Sequence, residues 1–549
     1  MTLLQNLVLP SGTVEGEAQL YTVQPVTGFP VSIDGELDLR THFNLLPAST
    51  LRKLCGLTEV TLSVSCSGDL RVTVTGISDG VRETVLESEV SEGSKLVIPL
   101  SHDLVGVSFS GHGVLNSGCF TVDDAGETVH LALCVCTYRK EELVKDKLSG
   151  IERFVSTHPE LKKYLKVYVA DNGRTLPNLD SDIVRVIPSP NLGGSGGFTR
   201  CVMEALGDGV YTHVALNDDD ALLDPEVLLR TVSLLSLSKN RDGICIAGTM
   251  LNQEEPHLIY ESGASLSRFG LTNLGKNLSV LEDEGNLFTS KDKDATYAGW
   301  WYAVFPLKAV REKGLPLPLF FKMDDAEYGT RLGLPVVTIC GISVWHPPFR
   351  SKFNPVNSYY YARNTLTVGC TRGDVTERDV DEVTEKILLE AACTRYGSAE
   401  LMISGVEDFL RGPDHVFNLC RTGMRSGVTM RTFPLEELRG HYNPVERPKA
   451  SFKLRKYTFN GCLLPSKGNA EASVSSMRTE QFYRAKHVVF DIDGTVGTVS
   501  RRHALEAMGI TMKVWSLRRM LKKRLPELNT MYRESLVQWT TTDAWNKLF

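Results

Sequence analysis

The sequence predicts a multidomain α/β protein with an N-terminal β-sandwich or barrel, a central Rossmann-like domain on a mostly parallel sheet, and a C-terminal helical region. Three observations predict it. Residues 1–128 are rich in short alternating or β-branched segments punctuated by Gly, Asp and Ser. From about residue 129, apolar strand-like runs alternate with helical patterns, which implies parallel strands with helical crossovers. From about residue 373 the pattern is mainly helical. The chain has 549 residues, beyond the roughly 250–300 at which a single core stops growing, so several domains are required. The boundaries read as 1–128, 129–372 and 373–549, with a linker near 465–480.

In the first region the strand segments are Val60–Val64, Leu70–Val74, Glu83–Glu89, Lys95–Pro99 and Val105–Ser110. In the second, the apolar strand His130–Cys136 precedes Thr137-Tyr138-Arg139-Lys140 and a helix through Val155. A strand over Lys166–Ala170 ends at Asp171-Asn172-Gly173. A third, Ile183–Ile187, leads into a glycine-rich loop, a helix near Thr199–Leu206, and a strand over Tyr211–Leu216. The polar clusters fall at the carboxyl ends of these strands, where ligands sit in parallel α/β sheets.

Bulk properties exclude some classes. Hydrophobic residues make up 42% and charged residues 23%, as in ordinary soluble globular chains. The net charge of −6 gives no nucleic-acid-like basic excess. The opening MTLLQNLVLP lacks a basic n-region and a small-residue cleavage site, so no signal peptide is expected. No run of about 18 apolar residues suggests a spanning helix. The 12 cysteines include no CxxC pair and read as reduced core residues of a cytoplasmic protein.

Four motifs carry chemistry. Asn217-Asp218-Asp219-Asp220 follows an apolar strand, and three adjacent carboxylates repel unless a cation resolves the repulsion. Asp218 and Asp220 would then bind Mn²⁺ or Mg²⁺ together with a donor diphosphate; the alternative is a solvated helix-capping turn. Asn191-Leu192-Gly193-Gly194-Ser195-Gly196-Gly197-Phe198 lets backbone approach a ligand, and the following helix N-terminus favours anions. It is not a dinucleotide fingerprint, because Thr199 holds the last position. Trp300-Trp301 precede Phe320-Phe321-Lys322-Met323-Asp324-Asp325. Adjacent tryptophans cannot share one strand face, so one is expected to line a cleft, and a carboxylate of the Asp pair suits a general base. Val344-Trp345-His346-Pro347-Pro348 places an imidazole after a strand, a common metal ligand when carboxylates keep it company.

At these residues the chain resembles the GT-A glycosyltransferases of the family-2 type, and more closely the polymerising, galactan-building galactofuranosyltransferases of mycobacterial type. The matching pieces are NLGGSGGF, the DDD, the WW pair, FFKMDDAEYGTRL, WHPPF and Tyr361-Ala362-Arg363-Asn364, over about residues 1–460. Asp325 stands 24 residues after Trp301, a spacing far more specific than the acidic turn alone. The resemblance implies a GT-A central domain and an inverting, metal-dependent transfer of galactofuranose from UDP-galactofuranose to a lipid-linked galactan of the cell wall. It assigns Asp218 and Asp220 to the metal with His346 as third ligand, and Asp325 as general base. Trp300, Trp301, Asp324, His257 and Glu261 would bind the acceptor. Arg139, Asn191 and Asp218 would bind the donor. It further implies a protein peripheral to the inner face of the cell membrane, and it allows a homo-oligomer. Two alternatives stay open: another donor such as a rhamnose or glucose nucleotide, or a non-catalytic carbohydrate-binding protein. The Tyr359-Tyr360-Tyr361 run replaces a pattern expected to contain a histidine, and the part after about residue 460 departs from the family.

Two further segments compete for notice. Asp491-Ile492-Asp493-Gly494-Thr495 imitates the DxDGT motif of haloacid-dehalogenase-like phosphatases, but only 54 residues follow Thr495, too few to complete that fold. Lys513–Leu525 is basic and amphipathic, and suits either a membrane surface or a solvated face.

Overall fold

The computed structural model describes every residue except 1, 269, 349–353, 423–429, 446–454, 456, 459 and 475–477. It divides into two compact units. One comprises Met1–Pro316, Asp325–Pro347 and Phe549; the other comprises Leu317–Asp324 and Pro348–Leu548.

The first unit opens on one antiparallel sheet of six strands: β1 (Thr2–Asn6), β2 (Val31–Asp38), β3 (Glu59–Ser78), β4 (Val81–Val90), β5 (Ser94–Pro99) and β6 (Leu104–Val122). Strands β3 and β6 pair along nearly their whole lengths. They change partners midway: β5 and β1 pair with one half, β4 and β2 with the other. The segments Val60–Val64 and Leu70–Val74 are thus parts of a single 20-residue strand. A register shift at Ser65/Cys66 and Gly68 mark the break that the sequence pattern registers. Gly68 has φ +87°, and a Cβ there would lie 2.5 Å from the His112 carbonyl oxygen, so only glycine lets the two strands cross so closely.

A seven-stranded sheet follows. It contains β7 (Leu131–Thr137), β8 (Leu165–Asp171), β9 (Val184–Pro188), β10 (His213–Asp218), β12 (Cys245–Ala247), β17 (Ala303–Pro306) and β18 (Val336–Val337), in the order β18-β12-β17-β10-β7-β8-β9. Strands β10, β7, β8 and β9 are parallel, and β17 runs antiparallel between β10 and β12. The chain enters at β7, moves outward to β8 and β9, then returns to β10 on the other side. The carboxyl ends of β7 and β10 therefore flank a topological switch point, the position at which such sheets hold ligands.

A second, four-stranded sheet contains β11 (Leu222–Leu223), β13 (Thr249–Asn252), β14 (Ile259–Glu261) and β19 (Ser343–His346), ordered β11-β19-β13-β14. Strands β15 (Ala264–Ser267) and β16 (Gly270–Asn273) form a hairpin.

The glycine run is where structure and sequence pattern diverge most. The helix begins at Gly193 and runs to Asp208, so most of the supposed loop is helical. Glycine is a poor helix former, but close packing decides here. A Cβ on Gly197 would sit 2.2 Å from Cys136 Sγ, so the run lets the helix lie directly on β7.

The second unit is built on helices Val356–Arg372, Glu377–Ala392, Tyr396–Leu410, Pro413–Leu419 and the 36-residue Ala504–Trp539. Thr376 and Asp379 form a capping box that fixes the start of the second of these. The unit also holds a sheet of β20 (Phe433–Pro434), β21 (Ala470–Ser473), β22 (His487–Asp491) and β23 (Val496–Arg501), ordered β20-β23-β22-β21. Strand β21 lies inside the stretch read as a linker, of which 475–477 fall outside the described residues. Its alternating Ala470 and Ala472 are buried, a pattern too short and too weakly apolar to stand out.

In the long helix Val514, Leu517, Leu521, Leu525 and Leu528 turn one apolar stripe inward. Its basic residues meet carboxylates of the same unit: Lys513 with Glu400, Arg518 and Lys522 with Asp381, and Arg524 with Glu527. Among the described residues, no helix is long and apolar enough to cross a membrane.

Candidate functional site

Strand β10 ends in Asn217-Asp218, and the acidic turn follows directly. Strand β7 ends beside it, with Asp218 in register with Cys136. His346 arrives from the second sheet, at the end of β19 and in register with Asn252 of β13. One ligand atom from each of Asp218, Asp220 and His346 lies within 4.8 Å of the others. His346 Nε2 is 3.2 Å from Asp220 Oδ1. His346 Nδ1 is 2.7 Å from the Pro347 carbonyl oxygen, which can only accept, so Nδ1 carries the proton and Nε2 faces the carboxylates. Two carboxylates and an imidazole nitrogen so arranged fit a divalent cation such as Mn²⁺ or Mg²⁺.

Asp219 is not part of that cluster. Thr137 Oγ1 donates to its Oδ2 at 3.0 Å, and Lys140 Nζ donates to its Oδ1 at 2.9 Å. Lys140 also donates to Asp220 Oδ2 at 2.6 Å. Burial alone would lower the Lys140 ammonium, but Asp219 and Asp220 outweigh it and hold its pKa above the usual lysine value. A second lysine, Lys147, is buried on the helix Glu141–Thr157. It donates to the Asn217 side-chain oxygen and to the Asp218 carbonyl. Burial pulls its pKa down to about 8, against the partial support of the three aspartates. Asn217 Nδ2 in turn donates to the Trp301 carbonyl at 2.6 Å, tying the acidic turn to the tryptophan pair.

Trp300 and Trp301 stand on the turn before β17, and both are buried. Trp300 packs edge-on against Phe198, with ring centroids 5.3 Å apart, and against Tyr328. Trp301 is the one beside the ion cluster, its ring tilted against His346 at 6.4 Å. Asp324 and Asp325 open the helix Asp324–Leu332; Asp324 is buried and Asp325 half-buried. Asp325 Oδ1 accepts from the Ala326 amide. Glu261, at the end of β14, is 2% exposed, and its Oε1 has no hydrogen-bond partner among the described residues. Burial, then the charge of Asp325, raises its pKa well above the usual carboxylate range. The same carboxylates raise the Tyr297 hydroxyl, after burial. The structure thus brings Glu261 electrostatically close to Asp325. His257 sits on the turn before β14, where its carbonyl accepts from the Val280 amide at 2.9 Å.

On the donor side, Asn191 Oδ1 accepts from the Gly193 amide at the start of the glycine-rich helix. Arg139 is exposed with φ +56°, its guanidinium over the Tyr138 ring, while its neighbour Lys140 reaches the carboxylates of the acidic turn. Asn172, at the end of β8, donates to the Gly193 carbonyl, and its Oδ1 is buried without a partner among the described residues.

Sequence reasoning missed Lys140, Lys147 and Asn172 as parts of this site. For Lys140 and Asn172 the only signal was position, just past the carboxyl end of a parallel strand; Lys147, inside the following helix, carried none. It also gave no role to Arg363 and Asn364. Asn364 Nδ2 donates to the carbonyls of Leu319, Phe321 and Lys322 at 3.1, 2.9 and 3.0 Å, and Arg363 Nη2 to Leu319 at 2.7 Å. These bonds hold a segment in which Phe320, Lys322 and Met323 all have φ between +68° and +74°, strained for non-glycine residues, just ahead of Asp324-Asp325.

The DxDGT-like segment resolves locally. Asp491 and Asp493 cap the turn between β22 and β23: Asp491 Oδ1 accepts from the Gly494 amide at 2.7 Å, and Asp493 Oδ1 from the Thr495 and Val496 amides. Of the WHPPF segment, Phe349 lies outside the described residues.

No protein-family model matches the chain. It is 23% identical to galactofuranosyltransferase GlfT2 of Mycobacterium tuberculosis, over 94% of this chain and 91% of that one. It is 26% identical to galactofuranosyltransferase GlfT2 of Mycolicibacterium smegmatis, over 72% and 67% respectively. Among solved structures, the mannosyltransferase PcManGT of Pyrobaculum calidifontis, in complex with GDP-Man and Mn²⁺, aligns with a TM-score of 0.30 at 15% identity, over 46% of this chain and 66% of that one. Mannosyl-3-phosphoglycerate synthase of Rubrobacter xylanophilus aligns with a TM-score of 0.29 at 13% identity, over 45% and 76%. At such scores these two likenesses carry no functional weight. The chain is a glycosyltransferase, similar over 94% of its length to one galactofuranosyltransferase and over 72% to another.

Proposed function

We propose that this protein is an inverting, divalent-cation-dependent galactofuranosyltransferase with a GT-A-type central domain, moving galactofuranose from UDP-galactofuranose to a lipid-linked galactan. The observation that carries this reading is the convergence of Asp218, Asp220 and His346 at the switch point of the parallel sheet, in a chain similar to galactofuranosyltransferases. Residues 1–128, 129–372 and 373–549 are its proposed functional divisions.

The chemistry that Mn²⁺ or Mg²⁺ supplies at such a site is neutralisation of charge on a departing diphosphate. Asp218, Asp220 and His346 hold that position, and Arg139 and Asn191 lie on the donor side of it. Asp325 takes the proton from the attacking acceptor hydroxyl. Attack from the face opposite the leaving group inverts the anomeric centre in one displacement, with no enzymic nucleophile. Trp300, Trp301, Asp324, His257 and Glu261 shape the acceptor side. Trp301 suits direct contact better than Trp300 because it lies beside His346 of the proposed ion site.

The direct test is nucleotide release with Mn²⁺ across UDP-, GDP- and dTDP-sugars and a galactan acceptor. UDP-galactofuranose is expected to give the highest acceptor-dependent rate; a clear preference for a rhamnose or glucose nucleotide would overturn the donor assignment. Peripheral contact with the inner membrane face belongs to the same proposal. It is supported by the exposed stripe Leu505, Met508, Met512 and Trp515 on the long helix, one face at helical spacing, with Lys513 and Arg519 beside it. Anionic liposomes should recover the wild type and lose a Met512→Asp/Trp515→Asp variant; equal recovery removes the contact.

A further inference from the structure

The acidic turn carries its own counter-cations. Asp218, Asp219 and Asp220 are consecutive, and two ammonium groups approach the turn, Lys140 from the strand–helix junction after β7 and Lys147 from the helix Glu141–Thr157. Lys140 bridges Asp219 and Asp220 at 2.9 and 2.6 Å. Lys147 is enclosed beneath the turn and grips it through the Asn217 side chain and the Asp218 carbonyl. The charges acting on Lys147 are those of the three aspartates and Lys140, and it forms no direct ion pair with a carboxylate among the described residues. Three carboxylates and two ammonium groups leave the turn with a net charge near −1 rather than −3.

That balance has a consequence for binding. A turn at −3 would draw a divalent cation strongly by itself, and its carboxylates would splay apart in the cation's absence. A turn near −1 stays assembled, holds the cation weakly, and becomes net positive once the cation is bound. It then attracts a doubly anionic diphosphate.

We propose that Lys140 and Lys147 are positioning residues that keep the acidic turn assembled without a cation and hold down the free protein's affinity for one, so that cation and nucleoside diphosphate bind cooperatively. The inference rests on the ion-site reading above and adds its charge regulation. Cooperativity between the two ligands is reciprocal, so either can be titrated. A merely structural lysine predicts the opposite sign, because loosening the turn would weaken cation binding.

The test is titration calorimetry of Mn²⁺ into the full chain, with and without UDP, for wild type, Lys140→Met, Lys140→Arg, Lys147→Met and Asp220→Asn. Lys140 is half-exposed, so its methionine variant should fold; Lys147→Met serves as the second reading once its thermal unfolding is shown to be cooperative. Without UDP, Lys140→Met should bind Mn²⁺ about fivefold or more tightly than wild type, because a positive charge near the ion has gone. The enhancement by UDP should shrink in the same variant, and Lys140→Arg should behave as wild type. Unchanged or weaker Mn²⁺ binding in Lys140→Met would overturn the proposal. Wild-type Mn²⁺ binding by Asp220→Asn, with UDP present, would instead overturn the ion site itself.

Discussion

Oδ1 of Asp220 lies 3.2 Å from Nε2 of His346, while Oδ2 of the same carboxylate accepts from Lys140 at 2.6 Å. Asp220 stands on the turn between β10 of the seven-stranded sheet and β11 of the four-stranded sheet, and His346 ends β19 of that four-stranded sheet, 126 positions further along the chain. The meeting of these two side chains turns a common acidic turn into a shaped site, because each sheet ends at the same place.

Asp325 is expected to act in the chemical step and not in donor binding. Asp325→Ala should lower the transfer rate by about 10²–10⁴-fold, the range for losing a general base. UDP affinity should stay within about twofold of wild type, since Asp325 belongs to the acceptor side. Transfer kinetics with calorimetric UDP binding checks both, and near-normal turnover would remove Asp325 from the role.

Glu261 supplies a pH prediction. Burial and the nearby Asp325 raise its folded-state pKa above the ordinary value of about 4.3. The folded chain therefore holds this proton more tightly than the unfolded chain. The stabilisation is complete below the unfolded pKa and is lost as pH rises through the folded one. Glu261→Gln cannot ionise and escapes that loss. Its Tm relative to wild type should rise between pH 5 and pH 8.5, by about 2–4 °C for each kcal/mol recovered. A difference that stays constant or falls with pH would show that Glu261 is ionised at little cost.

Asn364 holds three carbonyls of the strained segment before Asp324. Asn364→Ala should destabilise its unit by about 2–4 kcal/mol, the range for leaving several buried acceptors unpaired. Transfer should fall as well, because Asp325 follows Met323 by only two residues. Urea unfolding alongside activity reads both, and an unaltered transition would mean that the left-handed backbone needs no such support.

Much of this was legible in the sequence, for reasons specific to each element. Apolar runs bounded by polar clusters located β7, β8, β9 and β10 to within two or three residues, because buried parallel strands are nearly continuous hydrophobic stretches. Asp218, Asp220 and His346 could be singled out as residue types, but their convergence depends on two sheets ending together, which no local pattern encodes. The glycine run misled because glycine argues for a loop, whereas the need to pack Gly197 on Cys136 outweighed its propensity. Lys140 and Lys147 escaped notice because lysines around a helix start usually face solvent; only the fold shows both turned toward the aspartates. Strand β21 was hidden for the opposite reason, as it buries only two alanines and is specified by its parallel neighbour β22.

The proposed ion site requires Asp218, Asp220 and His346 to share one divalent cation. Its most direct measurement is Mn²⁺ binding, with UDP present, by wild type and by the single variants Asp218→Asn, Asp220→Asn and His346→Ala. One site per chain in the wild type, weakened about tenfold or more by each substitution, is the predicted result. Wild-type Mn²⁺ affinity in all three variants would contradict it.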